Sequence, residues 1–231
     1  MDDISTPLWL GTAGMTIGTF LILLLGSKLP RGERHHVVTS AGVTAIAAVA
    51  YYAMTQGMFM VEVEGREDVF AARYMDWLLT TPLLLLGLLL IAMPKADSQE
   101  GRGGIIGGVL GADAFMIVTG YLAAVSVDDT ARYVFYTVSC LAFLAIVFTV
   151  WGVVREAAAR TGSSAVFNQL LGILTVLWFI YPVLWLLGTE GLEVLSLTGE
   201  VWVFAVIDVS AKALFGALLV TGVAKLPAAA R

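Results

Sequence analysis

Seven apolar stretches organise the chain, at roughly 7–27, 37–58, 70–93, 104–125, 132–154, 166–188 and 200–224. Each reaches the ~20 residues that a helix needs to cross about 30 Å of hydrocarbon. The links between them are short and polar, or carry Gly and Pro: "GSKLPRGERHH", "EVEGRED", "PKADSQEGRGG", "SVDD", "REAAARTGSS" and "TEGLEVLSLTG". Neither an internal repeat nor a low-complexity tract interrupts the series. The pattern predicts an all-α membrane protein, a seven-helix bundle forming a single domain over residues 1–231.

Composition agrees with the pattern. Of 231 residues, 59% are hydrophobic and 13% charged, with a mean hydropathy of +0.89. A soluble domain carries about a quarter charged residues, so the solvent for this chain is largely lipid. A net charge of −5 and the lack of a basic arm give no reason to expect nucleic acid. A lone cysteine, Cys140, excludes an intramolecular disulfide and any CxxC metal or redox site; it is expected to be a small buried apolar residue. No metal-ligating motif is expected. The start, "MDDISTPLWL", lacks the positive head of a cleaved signal peptide, so the first apolar segment is expected to remain as a span.

Charge sets an expected orientation. Alternate links and the C-terminal end hold Lys28, Arg31, Arg34, Lys95, Arg102, Arg155, Arg160, Lys225 and Arg231. The opposite side holds only Arg66, Arg132 and Arg73 among basic residues, with Asp2, Asp3, Glu62, Glu64, Glu67, Asp68, Asp128, Asp129, Glu190, Glu193 and Glu200. The positive-inside rule then places the N-terminus outside and the C-terminus in the cytoplasm of a multi-pass cell-membrane protein. "GRGGIIGGVLG" (101–111) lacks the GK[ST] ending of a phosphate loop and follows no strand. Gly103, Gly104, Gly107, Gly108 and Gly111 instead predict a face for close helix packing.

Away from the span ends, the deep ionisable residues are Asp76, Asp113, Asp208 and Lys212. A charge at mid-membrane costs about 2.5–3.5 kcal/mol on insertion scales, which makes each a functional candidate. Asp208 and Lys212 are one helical turn apart and could simply pair. A structural pair leaves Asp76 and Arg73, on another span, without a purpose. Desolvation favours the neutral form of a buried lysine, and a neutral amine can form a Schiff base with an aldehyde. The protonated imine would then need carboxylate counterions, and Asp208 is placed to be one. Trp77, Trp178, Tyr181 and Trp185 would suit a long apolar ligand, although membrane aromatics also serve as packing and interface anchors.

Four motifs on four spans, "ARYMDWLLTTPLLLL" (72–86), "GADAFMIVTG" (111–120), "YPVLWLLGTEG" (181–191) and "VIDVSAKALFG" (206–216), closely resemble the microbial rhodopsins. The likeness covers spans two to seven in order and spacing; the first span matches only in character. It implies all-trans retinal bound to Lys212 as a protonated Schiff base, with Asp76 as counterion and primary proton acceptor and Asp208 as second counterion. Arg73 would offset the surplus negative charge, and Thr80 would hydrogen-bond the Asp76 carboxylate. Tyr51, Trp77, Thr81, Met116, Gly120, Tyr136, Phe143, Trp178, Tyr181 and Trp185 match retinal-pocket positions. Asp113 matches a protonated structural carboxyl near the ionone ring. Glu190 and Glu200 match a proton-release pair, whereas Glu193 is expected to be ordinary surface charge.

One departure is informative. Position 87 lies three turns from Asp76, ~16 Å along nearly the same face, where some of the family's pumps carry an aspartate that reprotonates the Schiff base and others carry glycine. Here it is Gly87, and positions 84–90 are otherwise all Leu. The resemblance therefore implies outward proton pumping under light, with slow reprotonation directly from cytoplasmic water. A sensory rhodopsin signalling through a transducer is the first alternative, and a non-photoactive transporter with a structural Asp–Lys pair the second. An acidic Asp76 argues against a halide pump, and the Asp76/Thr80 order against a sodium pump. Tyr136 stands where carotenoid-binding relatives have glycine, so no antenna is expected. Protons and membrane lipids are the expected partners, with a homotrimer by analogy, and no enzyme chemistry is expected.

Overall fold

The computed structural model describes residues 4–94 and 101–226. Asp2, Asp3, Lys95 and Arg231 of the charge argument lie outside the described residues. Among the described residues, seven helices are long and apolar enough to cross a membrane. They are α1 (Ser5–Gly26), α2 (Arg34–Thr55, preceded by a 3₁₀ turn at Arg31–Glu33), α3 (Ala71–Ala92), α4 (Arg102–Val125), α5 (Asp129–Thr161), α6 (Ser164–Leu187) and α7 (Leu197–Ala224).

The boundaries depart from the hydropathy reading where polar residues are good helix formers. Helix α5 continues seven residues past the expected end at 154, because "REAAART" has high intrinsic propensity. Helix α2 starts earlier than expected, taking in Arg34, His35 and His36. The link after α2 is not loop throughout: it forms a short antiparallel hairpin of β1 (Met60–Val61) and β2 (Val69–Phe70), with Met60 opposite Phe70. Asp128 caps α5 by accepting from Ala131 N at 2.7 Å, and Ser196 caps α7 by accepting from Gly199 N at 3.2 Å.

Helices α3 and α7 are the most enclosed, with 61% of their apolar windows buried against 28% for α1. Large apolar side chains such as Phe20, Leu24, Val49, Phe148 and Val176 face outward, as lipid solvent allows. The hydroxyls of Thr12, Thr19, Thr119 and Thr221 donate to carbonyls four residues back, which satisfies them without water.

The expected packing face on α4 is corrected by the structure. A Cβ built on Gly103, Gly104, Gly107, Gly108 or Gly111 meets no atom of the described residues within 4 Å. Those glycines lie along a flank of α4 that packs on none of the described residues. Close approach occurs elsewhere: a Cβ on Gly11 of α1 would fall 2.2 Å from the ring of Tyr51, so only glycine lets that ring lie against α1.

Candidate functional site

Two neighbouring helices supply the centre. Asp76 comes from the middle of α3; Asp208 and Lys212 come from α7. Between Ser210 and Leu214 helix α7 widens into a single π-turn, which contains Lys212. Such bulges recur at functional sites because they re-aim a side chain without ending the helix. All three groups are buried, at 2%, 1% and 2% exposure. Lys212 Nζ donates to Asp76 Oδ2 and lies 3.0 Å from Asp208 Oδ1. One ammonium thus faces two carboxylates.

The carboxylates are not equivalent. Asp208 accepts from Tyr51 Oη at 2.7 Å and from Tyr181 Oη at 2.8 Å, besides its contact with Lys212. Asp76 Oδ1 is buried with no partner among the described residues. The Thr80 hydroxyl lies beside that carboxylate, as expected, with its hydrogen directed to the Asp76 main-chain carbonyl at 2.8 Å. Four-residue spacing on a helix favours this back-bond over the side chain.

Lys212 also lines an apolar cavity between α3, α4, α5, α6 and α7. Its wall includes Trp77, Thr81, Met116, Gly120, Tyr136, Phe143, Trp178, Tyr181 and Trp185, all named from the sequence. Tyr51 does not line it; that ring stands behind Asp208 and reaches the site only through its hydroxyl. Tyr74, Ser139 and Pro182 line the wall and were missed. Tyr74 sits inside the quoted "ARYMDW" run, and its hydroxyl accepts from Trp185 Nε1 at 2.8 Å. Tyr136 stacks on Trp185, with centroids 4.6 Å apart and planes 13° from parallel, while donating to the Pro182 carbonyl at 3.0 Å. Asp113, fully buried, accepts from Thr81 Oγ1 at 2.8 Å, and its other oxygen has no partner among the described residues. Cys140 is half-buried on the same wall.

A second polar cluster lies one turn along α3 from Asp76. Arg73 Nη1 is 2.9 Å from Glu200 Oε1 and 3.4 Å from Glu190 Oε1, with its guanidinium carbon 4.0 Å from the centre of the Phe204 ring. The arginine therefore pairs with the two glutamates, not with Asp76. Neither glutamate is a solvated loop group: Glu190 is 3% and Glu200 1% exposed. Glu200 Oε2 accepts from both the amide and the hydroxyl of Thr189, at 2.7 and 2.8 Å. A Cβ on Gly188 would fall 2.6 Å from that oxygen, so only glycine leaves it room. Glu190 Oε2 has no partner among the described residues. Burial first, and then the charge of Glu200, push the Glu190 carboxyl up to about 8 against the opposing pull of Arg73. Glu193 is exposed and 3.9 Å from Arg66.

Gly87 is buried on α3 among leucines. A Cβ there would meet Leu219 Cδ1 at 3.1 Å and Thr39 Oγ1 at 3.8 Å.

Seven membrane-spanning helices around an apolar cavity, with a lysine between two aspartates in its wall, define the architecture of the microbial rhodopsins. The chain belongs to the bacteriorhodopsin-like protein family, whose model matches residues 3–226. It is 41% identical to archaerhodopsin-2 of Halobacterium sp. (strain aus-2) over 227 residues, 94% of this chain and 85% of that one. Among solved structures, the thermophilic rhodopsin from Rubrobacter xylanophilus superposes with a TM-score of 0.89 at 35% identity, covering 95% of each chain. The light-driven proton pump LR (Mac) from Leptosphaeria maculans gives 0.87 at 29% identity, covering 98% of this chain and 96% of that one.

Proposed function

We propose that this protein is a light-driven outward proton pump in which all-trans retinal is held on Lys212. The observation that carries the reading is the asymmetry of the two aspartates around Lys212 Nζ. The likeness to the light-driven proton pump from Leptosphaeria maculans supports the choice of pump. The cavity fits an apolar aldehyde: one buried amine stands in its wall, beside the flat rings of Trp77, Trp178, Tyr181 and Trp185. Bound there, retinal supplies light absorption and a change of shape; the proton handling belongs to the chain.

At rest Lys212 Nζ keeps its proton because two carboxylates face it. Three donors saturate Asp208, which fixes it as a lasting anion. Asp76 has an oxygen free of other donors and touches the nitrogen, so Asp76 is the group that takes the proton. Neutral Asp76 attracts Arg73 less and leaves the guanidinium free to favour its glutamates. Glu200 is already saturated, so the proton of this pair resides on Glu190, and a stronger hold by Arg73 expels it. Glu190 lies on the side that the charge distribution makes external, which sets the direction as outward.

The nitrogen is then reprotonated from the other side. Leu84, Leu85, Leu88 and Leu89 are buried there around Gly87, without a carboxyl on that stretch of α3. We infer that protons enter from cytoplasmic water and that this step is slow.

The test is the pH of an unbuffered suspension of retinal-fed cells making this protein. Light should acidify the medium, and a protonophore should abolish the change. Coloured cells that leave the pH unchanged would overturn the pump and favour a photosensor with a transducer. Colourless cells would overturn retinal binding itself.

A further inference from the structure

A cluster at the start of α2 has no part in the scheme above. Glu33, His35 and His36 present one ligand atom each, all within 4.8 Å of one another. His36 Nε2 is 3.7 Å from Glu33 Oε2, and the two imidazole rings lie 4.1 Å apart. In tetrahedral zinc sites, metal–ligand bonds of about 2.0–2.2 Å place ligand atoms roughly 3.4 Å from one another. The His36–Glu33 pair is near that spacing already, and the widest separation needs a closure of up to about 1.4 Å on this scale.

The outer contacts favour ligation. His35 Nδ1 is 2.8 Å from the Gly32 carbonyl. A carbonyl only accepts, so Nδ1 carries the hydrogen and Nε2 keeps its lone pair. A main-chain carbonyl orienting the far nitrogen is the usual second contact of a metal-binding histidine. His36 is 2% exposed, and its Nδ1 has no partner among the described residues. The ligand atom of His36 is Nε2, which faces Glu33, and Nδ1 is the far nitrogen of that ring.

We propose that Glu33, His35 and His36 form a binding site for a borderline divalent transition-metal ion, with zinc as the probe. Two imidazoles and one carboxylate suit zinc and leave a fourth position for water. Calcium and magnesium prefer all-oxygen shells and should not compete. Arg31 and Arg34 flank the site and oppose the cation, which keeps the affinity moderate.

The position gives the ion a consequence that rests on the proposed pump. Thr39, one turn along α2, donates its hydroxyl toward the His35 and His36 carbonyls. The same oxygen lies 3.8 Å from a Cβ built on Gly87. A bound dication would thus stand at the entrance to the uptake path, repel protons there and slow the late step of the cycle.

The experiment uses the full chain without a polyhistidine tag, stripped with chelator and titrated calorimetrically with zinc. One zinc per chain is expected, weakened roughly ten-fold or more in His35→Ala and in Glu33→Gln. Both residues lie at the helix end and are at least partly exposed, so both variants should fold, and a retained visible band would check this. Zinc should slow recovery after a flash in the parent and not in His35→Ala. Absent binding, or binding unchanged in both variants, overturns the site. Binding without slowing overturns only its link to uptake. The titration needs no light, so a failure of the pump leaves the metal result standing.

Discussion

At the scale of single residues, the two polar clusters differ in how completely their acceptors are satisfied, and this difference assigns the proposed roles. Asp208 and Glu200 each hold multiple donors, whereas Asp76 and Glu190 each keep a bare buried oxygen. The bare member of each pair is the one that can carry a proton. Lys212→Ala should give no visible band on incubation with all-trans retinal; a band of parental intensity would mean that the attachment is elsewhere. With Glu190 raised to about 8, the group is protonated below that pH and ionised above it. An early light-driven proton release, followed with a pH-sensitive dye, should therefore be full at pH 7, half-lost near pH 8 and absent well above it. Glu190→Gln should abolish the early phase throughout. The same shift has a sign for stability. From the ordinary value of 4.5 up to about 8, the folded chain holds a proton that the unfolded chain gives up. That contribution is complete below 4.5 and is lost as pH rises through about 8.

At the scale of elements, Arg66 at the tip of the β1–β2 hairpin ties three links together. Its Nη2 donates to the Glu190 and Thr189 carbonyls at 2.6 and 3.2 Å, and Nη1 to the Ser126 carbonyl at 3.3 Å. The hairpin is thereby fastened over the α6–α7 link that carries Glu190. Arg66→Ala should cost roughly 1.5–3 kcal/mol, seen as a lower thermal midpoint for loss of the visible band. It should also move the pH midpoint of early release, because the Glu190 backbone loses its anchor; a lowered midpoint with unchanged release would restrict Arg66 to holding the loops. None of this was legible in the sequence, where "EVEGRED" reads only as a charged link. Hydropathy finds helices because lipid demands long apolar runs, and it found all seven. It misplaces helix ends where propensity rather than hydropathy decides, as at 155–161 and at Arg34–His36. The glycine run on α4 misled for a related reason. Small residues permit close approach, but only a neighbour creates it, and none of the described residues approaches that flank.

At the scale of the whole molecule, the two halves of the proposed path are built differently. On the Glu190 side, Asp76, Arg73, Glu190 and Glu200 follow one another as buried polar groups, all recognisable from motif positions before their contacts were known. On the other side the path from Lys212 runs into leucines around Gly87, beside which Thr39 Oγ1 offers a polar atom. If protons must come from bulk water there, the late step depends on their concentration. Recovery should slow up to about ten-fold for each unit of rising pH while encounter with a proton is limiting. Gly87→Asp tests this directly. The new Cβ would meet Leu219 Cδ1 at 3.1 Å, a contact that the end of a flexible side chain can relieve. Its carboxyl would arise beside the Thr39 hydroxyl, whose oxygen can accept from the protonated acid in an otherwise apolar setting. Supplied with an internal proton, the nitrogen should recover at a rate nearly independent of pH, at least ten-fold faster than the parent at pH 9. Flash photolysis across pH 6–9 reads both chains. A parent whose recovery ignores pH would mean that another internal group already feeds Lys212, and the vacancy at position 87 would then limit nothing.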